Sequence, residues 1–453
     1  MDEILKLVYN ACDPHEAATS EYYLDCGEAR GDSALTDQFL KHLELANDHL
    51  KVLFSGHVGC GKSSELVRLR DKLKDPGPNH RRYFPILLDV SEYLDDFDAS
   101  LTDILLAIVT ELAQTLRDDL GIEIKDNYFA KQFDEIKGLL GDVEIKEGEV
   151  GLSWLKVKLQ RLKRDPDARK KVRAALKPRL SNILEEINII FERARLEVKK
   201  IDVPMGQQPY DDIVLILDNL EKINTFDEQT DSFKSQREFF LEGYTQLTGL
   251  DVHVIYTVPL RLARSIDGPK LQQRYDRLLV LPMIKVIDRD TGQPFEAGLE
   301  CLREILQKRI AGHAIGDVFE PDALNVLLKY SGGHVRNLMT FVQNACTYTD
   351  KTPIPIAAAQ RAVQQSVRTY STAILKDHWN KLAELELSID KKIDNGDEAF
   401  LAMLENLSIL EYMNGGSEGV YESAEPWCAV NPVVRELQKF KAAIQQLSTE
   451  QQQ

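Results

Sequence analysis

The most specific chemistry in this chain sits in one run, Gly56-His57-Val58-Gly59-Cys60-Gly61-Lys62-Ser63. The spacing G-x-x-x-x-G-K-S lets glycines curl the backbone so that successive N–H groups face a single anion. A helix beginning at the end of the run adds its unpaired N–H groups and the positive end of its dipole. Lys62 then reaches the β- and γ-phosphates of a nucleotide, and Ser63 offers its hydroxyl to Mg²⁺. The predicted contact set is Gly56, His57, Val58, Gly59, Cys60, Gly61, Lys62, Ser63 and Ser64.

A second element completes such a site. Ile213-Val214-Leu215-Ile216-Leu217 is wholly apolar and runs into Asp218-Asn219-Leu220-Glu221. An acid at the C-terminal edge of a buried strand is the usual partner of a phosphate loop, so Asp218 and Ser63 are the predicted metal-side ligands. Glu221 is the next acid able to orient an attacking water. Thr257, near the end of the run DVHVIYTV, either sits between the metal-side acid Asp218 and the γ-phosphate or is an ordinary strand-end threonine.

The elements that must position these groups follow from pattern. Val52 to Ser55 and Tyr83 to Val90 read as buried strands, as do the runs before Asp218 and Thr257; Leu271 to Leu281 contains a fifth. Helices are predicted from Ser64, from Ala99 to Leu120, and over Ala34 to Leu50. The stretch 121–206 reads as an insertion. Its Trp154 to Arg179 segment is strongly basic, which fits either a solvated helix or a grip on nucleic acid or an acidic partner; scarce aromatics favour the former. From Glu296 the chain is helical again, and Ser331-Gly332-Gly333-His334-Val335-Arg336 is a glycine cap followed by a helix start. Thr352-Pro353-Ile354-Pro355 reads as a linker. Beyond it come short helices and a strand pair around the turn Asn414-Gly415-Gly416, with a STEQQQ tail expected to be disordered. Ahead of the phosphate loop, Tyr23 or Arg30 could touch the base or a phosphate, but a surface turn is the favoured reading.

Composition bounds the rest. With 453 residues, 43% hydrophobic and 28% charged, the chain has room for several domains. A net charge of −17 argues against a surface dominated by nucleic-acid backbone contacts, though not against a local basic patch. Six scattered cysteines without a CxxC pair read as free thiols rather than a disulfide framework or zinc site. The N-terminus does not read as a signal peptide, no apolar run approaches a membrane span, and a cytoplasmic location is expected.

The order of these elements resembles an AAA+ or STAND-type ATPase over about Tyr22 to Tyr348, and more weakly through the C-terminal region. GHVGCGKS resembles Walker A and VLILDNLE resembles Walker B. The resemblance puts Thr257 at sensor 1 and Arg336 at sensor 2, and Arg274 or Arg277 where an arginine finger would project into a neighbouring subunit's site. It implies an α/β fold: a P-loop NTPase parallel sheet with a five-strand core, a helical lid and a C-terminal winged-helix-like domain. The corresponding boundaries are 1–50 for an N-terminal helical segment, 51–290 for the core, 295–350 for the lid and 356–453 for the last domain. Many such ATPases carry Glu where this chain has Asn219, which favours a slow nucleotide switch over fast turnover. The implied ligands are ATP and Mg²⁺, and the absence of an N-K-x-D motif favours adenine over guanine. The implied function is an ATP-binding and hydrolysing switch that changes conformation or assembly, through self-association or a partner protein. A DNA-acting ATPase and a non-hydrolysing scaffold are the alternatives.

Overall fold

In the computed structural model, residues 2–31, 35–77, 80–94, 99–124, 154–201, 208–222, 232–310, 312–414 and 425–450 are described. Much of the expected insertion (125–153 and 202–207), the turn at Pro78 and Asn79, Gly415 and Gly416, and the last three residues of the tail lie outside them.

Five strands form one parallel sheet: β1 (Lys51–Gly56), β2 (Arg82–Asp89), β3 (Tyr210–Asp218), β4 (His253–Thr257) and β5 (Arg277–Leu281). Their order across the sheet is β2-β3-β4-β1-β5. The strands are apolar almost end to end because helices cover both faces. On β3, Ile213, Leu215 and Leu217 enter one core with the helices Leu101–Leu120 and Leu180–Lys199. Val214 and Ile216 point the other way, into a core with Phe39, Leu43, Leu66 and Leu69. This two-residue alternation fixes register, since a one-residue slip would exchange the faces. Truncating a side chain such as Ile216 to Ala should cost about 2–5 kcal/mol.

Parallel pairing brings the strand ends that matter together. Leu217 pairs with Tyr256 and Asp89 with Asp218, so the C-terminal ends of β2, β3 and β4 form one ledge. β1 enters the phosphate loop beside that ledge, and the helix Lys62–Lys74 leaves it. This is a P-loop NTPase sheet.

The lid comprises helices Glu296–Arg309, Pro321–Ser331 and Val335–Cys346. Its core extends past the expected linker. Ile354 is buried, its N–H bonds Val318 O at 2.8 Å, and Ile356 N bonds Glu320 Oε2 at 3.0 Å. Helix Ile356–Ala373 then packs Ala358, Ala359, Ala362 and Val363 into the lid core. Two prolines suggested a break in the chain, but one apolar side chain and two backbone bonds dock the stretch.

The C-terminal winged-helix-like unit contains helices His378–Leu387, Glu398–Glu405 and Gln438–Glu450 around an antiparallel pair, β6 (Ile409–Met413) and β7 (Pro426–Val430). One face of the pair (Ile409, Cys428, Val430) packs on the unit's own helices. The other (Leu410, Tyr412, Trp427, Ala429) joins the core beneath the phosphate loop. No helix among the described residues is long and apolar enough to cross a membrane.

Candidate functional site

The phosphate loop borders a cavity of about 530 Å³ at the C-terminal edge of the sheet, a size suited to a nucleotide-scale ligand. Val58, Gly59, Gly61, Lys62, Ser63 and Ser64 line it from the loop, and Asp89, Asp218 and Glu221 from the strand ends. Arg336 lines it from the lid. Of the predicted contact set, Gly56, His57 and Cys60 do not line it: Cys60 is packed in the core, and His57 faces the C-terminal unit.

Lys62 is buried, and its Nζ lies 2.9 Å from Glu221 Oε1, 3.0 Å from Gly56 O and 3.1 Å from His57 O. Burial alone would push this amine down, but the Glu221 charge reverses the shift and keeps the ammonium protonated. Burial likewise pushes the Glu221 carboxyl up, and the Lys62 ammonium with the Thr257 hydroxyl brings it below its ordinary value. The Thr257 oxygen also accepts from Leu220 N at 2.9 Å, fixing the turn after Asp218. Asp218 goes the other way: burial and the neighbouring Glu221 charge push it up to about 6, against a hydrogen bond from Ser63.

Asn219 has φ of 64° and donates its N–H to Asp218 Oδ1 at 2.8 Å. Asn tolerates the left-handed region far better than a longer acid, so the turn itself accounts for the amide in that position. It also swings the next acid, Glu221, onto Lys62.

The loop is held from three sides. Gly59 has φ of +86°, and a Cβ there would lie 2.8 Å from both Arg336 Cβ and His334 Cε1, so only glycine permits the lid helix to approach so closely. His334 Nε2 donates to Val58 O at 2.7 Å and Arg336 N to Gly59 O at 3.2 Å. From the N-terminal segment, Arg30 donates to Cys60 O at 2.9 Å and to Pro282 O. Arg30 is buried in the short helix Gly27–Arg30, which corrects the surface-turn expectation. Its guanidinium replaces solvent as the partner of the loop carbonyl. Tyr23 bonds Glu65 at 3.0 Å and Arg68, away from the loop. From the C-terminal unit, Leu404 O and Glu411 N grip His57.

Sequence reasoning missed the strap 13–18, which lines the cavity through Asp13, His15 and Glu16. Ala18 N bonds Ser64 Oγ at 2.9 Å, and Arg336 Nε bonds Pro14 O at 3.0 Å. Nothing in its short polar pattern distinguishes it from a surface turn. Arg274 and Arg277 lie outside the cavity. Arg274 stacks on Tyr244 and donates to Leu241 O, while Arg277 pairs in register with Val52 at the opposite end of β1.

The overall outline is similar to two solved structures. One is described as Drosophila ORC bound to DNA: 10% identity, 98% of this chain and 92% of that one, TM-score 0.40. The other is the Aeropyrum pernix ORC1 protein in complex with DNA: 10% identity, 95% and 97% coverage, TM-score 0.34. No protein-family model and no curated protein matches the chain.

At the opposite edge of the sheet, His49, Asp212 and His253 bring ligand-type atoms within 4.8 Å of one another. Most of their polar atoms are already engaged. His49 Nδ1 meets Asp251 at 2.7 Å, Arg195 bonds both Asp212 and His49, and His253 Nδ1 accepts from Leu50 N at 3.1 Å. The cluster is an internally paired knot that seats the N-terminal ends of β1, β3 and β4.

The phosphate-loop cavity itself fits a Mg²⁺-triphosphate. It combines an ammonium, the unbonded N–H groups of a helix's first turn, a hydroxyl–carboxylate pair in Ser63 and Asp218, and the buried Glu221 Oε2, which has no hydrogen-bond partner among the described residues.

Proposed function

We propose that the chain binds ATP with Mg²⁺ and hydrolyses it slowly, using the nucleotide state to change conformation or assembly. The observation that carries this reading is the convergence of Lys62, Ser63, Asp218, Glu221 and Arg336 on one cavity beside a G-x-x-x-x-G-K-S loop, with the buried Thr257 behind Glu221. Ser63 and Asp218 would hold the metal, which supplies charge neutralisation at the phosphates. Lys62 and Arg336 bind and orient the triphosphate, and Glu221 with Thr257 orients the attacking water. Arg274 or Arg277 from a neighbouring copy is the candidate for completing the charge stabilisation in an assembly.

Lys62 must exchange Glu221 for phosphate, and Arg336 must exchange Pro14 O, so both the core and the lid register whether a γ-phosphate is there. Calorimetry with ATP–Mg²⁺, together with phosphate release and a sizing column with and without nucleotide, tests the reading. If the parent protein fails to take up ATP–Mg²⁺ at millimolar concentration, the reading is wrong.

A DNA-acting ATPase is the second reading. It is supported by the exposed bases Arg161, Arg164, Lys170 and Lys171 on helices Trp154–Arg164 and Pro166–Leu176, and Lys177 in the 3-10 turn that follows. Against it, Arg169 is buried and Arg173 is paired with Asp103 at 2.6 Å, so part of the basic run serves packing. Duplex DNA binding that weakens steeply with salt would favour this reading, and no binding at low salt would remove it.

A further inference from the structure

We infer that His57 is a positioning residue that couples the phosphate loop to the C-terminal unit: the unit's grip on His57 biases the loop against phosphate, and phosphate uptake loosens that grip. This rests on the ATP reading and adds how the site is regulated.

His57 occupies the first variable position of the loop and is 2% exposed, with its side chain turned away from the cavity. Its Nδ1 lies 3.1 Å from Leu404 O, and its Nε2 accepts from Glu411 N at 2.9 Å. One neutral tautomer satisfies both contacts: Nδ1–H donates to the carbonyl and the Nε2 lone pair takes the amide proton. The two partners come from the end of helix Glu398–Glu405 and from β6, so a single ring bridges two elements of the C-terminal unit.

The surrounding contacts make this joint specific. The Glu411 carboxylate takes a bidentate pair from Arg264 at 2.7 Å, and Glu411 O accepts from Met283 N at 3.2 Å. Arg261 reaches Glu398 at 2.6 Å and Glu405 at 3.1 Å. The backbone of His57 meanwhile faces the chemistry, because its carbonyl accepts from Lys62 Nζ and from Cys60 N at 3.2 Å. A phosphate that draws Lys62 away therefore removes a bond from the same residue whose ring holds the C-terminal unit. By linkage, anything that makes the unit's hold tighter makes phosphate binding weaker by the same factor.

The test is hydrogen exchange on the full-length chain with and without ATP–Mg²⁺, read over residues 398–413, alongside calorimetric affinity. In the parent, nucleotide should raise exchange across this segment. His57→Ala should show raised exchange without nucleotide, little further rise with it, and ATP affinity about 5- to 20-fold tighter. His57→Gln, which keeps a donor and an acceptor, should restore part of the nucleotide dependence. Arg264→Gln acts on the same joint from outside the loop and should move affinity in the same direction even if His57→Ala does not fold. Parent protein that binds ATP with unchanged exchange over 398–413 overturns the coupling and leaves the site reading standing. So does His57→Ala with a full nucleotide response. Parent protein that does not bind ATP overturns both.

Discussion

Lys62 Nζ and Glu221 Oε1 form a 2.9 Å ion pair, with both side chains almost completely buried. Removing one partner of a buried pair leaves an uncompensated charge, which typically costs about 3–5 kcal/mol. Lys62→Ala should therefore lose ATP binding by at least about 100-fold and also melt earlier. Glu221→Gln keeps the shape, leaves Lys62 better able to meet phosphate, and should bind ATP more tightly while releasing phosphate at least about 10-fold more slowly. Calorimetry and a phosphate-release assay on both variants separate the roles. If Glu221→Gln turns over at the parental rate, Glu221 does not orient the water.

Asp218 gives a pH signature. Its carboxyl is pushed up to about 6 from 3.8 by burial and the Glu221 charge, so the fold favours the protonated form. That contribution to stability is fully present below about pH 4 and is lost as pH rises through about 6. Without nucleotide, Asp218→Asn should gain on the order of 3 kcal/mol at pH 7.5, from the rise of 3.8 to about 6 at roughly 1.4 kcal/mol per pH unit, and gain nothing at pH 4. Denaturant melts at the two pH values check this. The same variant should lose the Mg²⁺-dependent part of ATP affinity.

Gly59 is where loop and lid meet. A Cβ there would press on Arg336 and His334 at 2.8 Å, from a backbone with φ of +86°. Gly59→Ala should cost about 1–3 kcal/mol through strain and displacement of the lid. Thermal melting measures the loss, and faster hydrogen exchange over 335–346 would locate it at the lid helix.

The sheet and the loop were legible because each depends on local pattern. A short, β-branched apolar run such as Ile213 to Leu217, closed by an acidic turn, reads as a strand covered on both faces, and G-x-x-x-x-G-K-S fixes its own turn chemistry. Asp218 followed because parallel pairing aligns strand ends. What stayed hidden depends on contacts between distant segments. The Arg30 bond to Cys60 O, the strap 13–18 across the cavity, and the His57 bonds to Leu404 and Glu411 span from about thirty to more than three hundred residues. No periodicity encodes them, and arginine or histidine in a polar stretch looks alike whether solvated or braced. The Thr352–Pro355 stretch misled for the opposite reason, since its prolines announce a break but the docking of Ile354 is a tertiary effect.

Asn219 separates backbone geometry from chemistry. Its φ of 64° explains the amide without any catalytic role, because a glutamate there would carry the cost of a left-handed conformation. Asn219→Gly should change stability by less than about 1 kcal/mol and leave phosphate release intact. Asn219→Glu, which restores the acid common after this aspartate in related-looking ATPases, should lower stability by about 1–2 kcal/mol. It should not speed turnover, because the acid that reaches Lys62 is Glu221, two residues on. Denaturant melts and phosphate release on the two variants decide the matter. Turnover rising several-fold in Asn219→Glu would mean that position 219, rather than 221, faces the reacting water, and that the amide there limits hydrolysis.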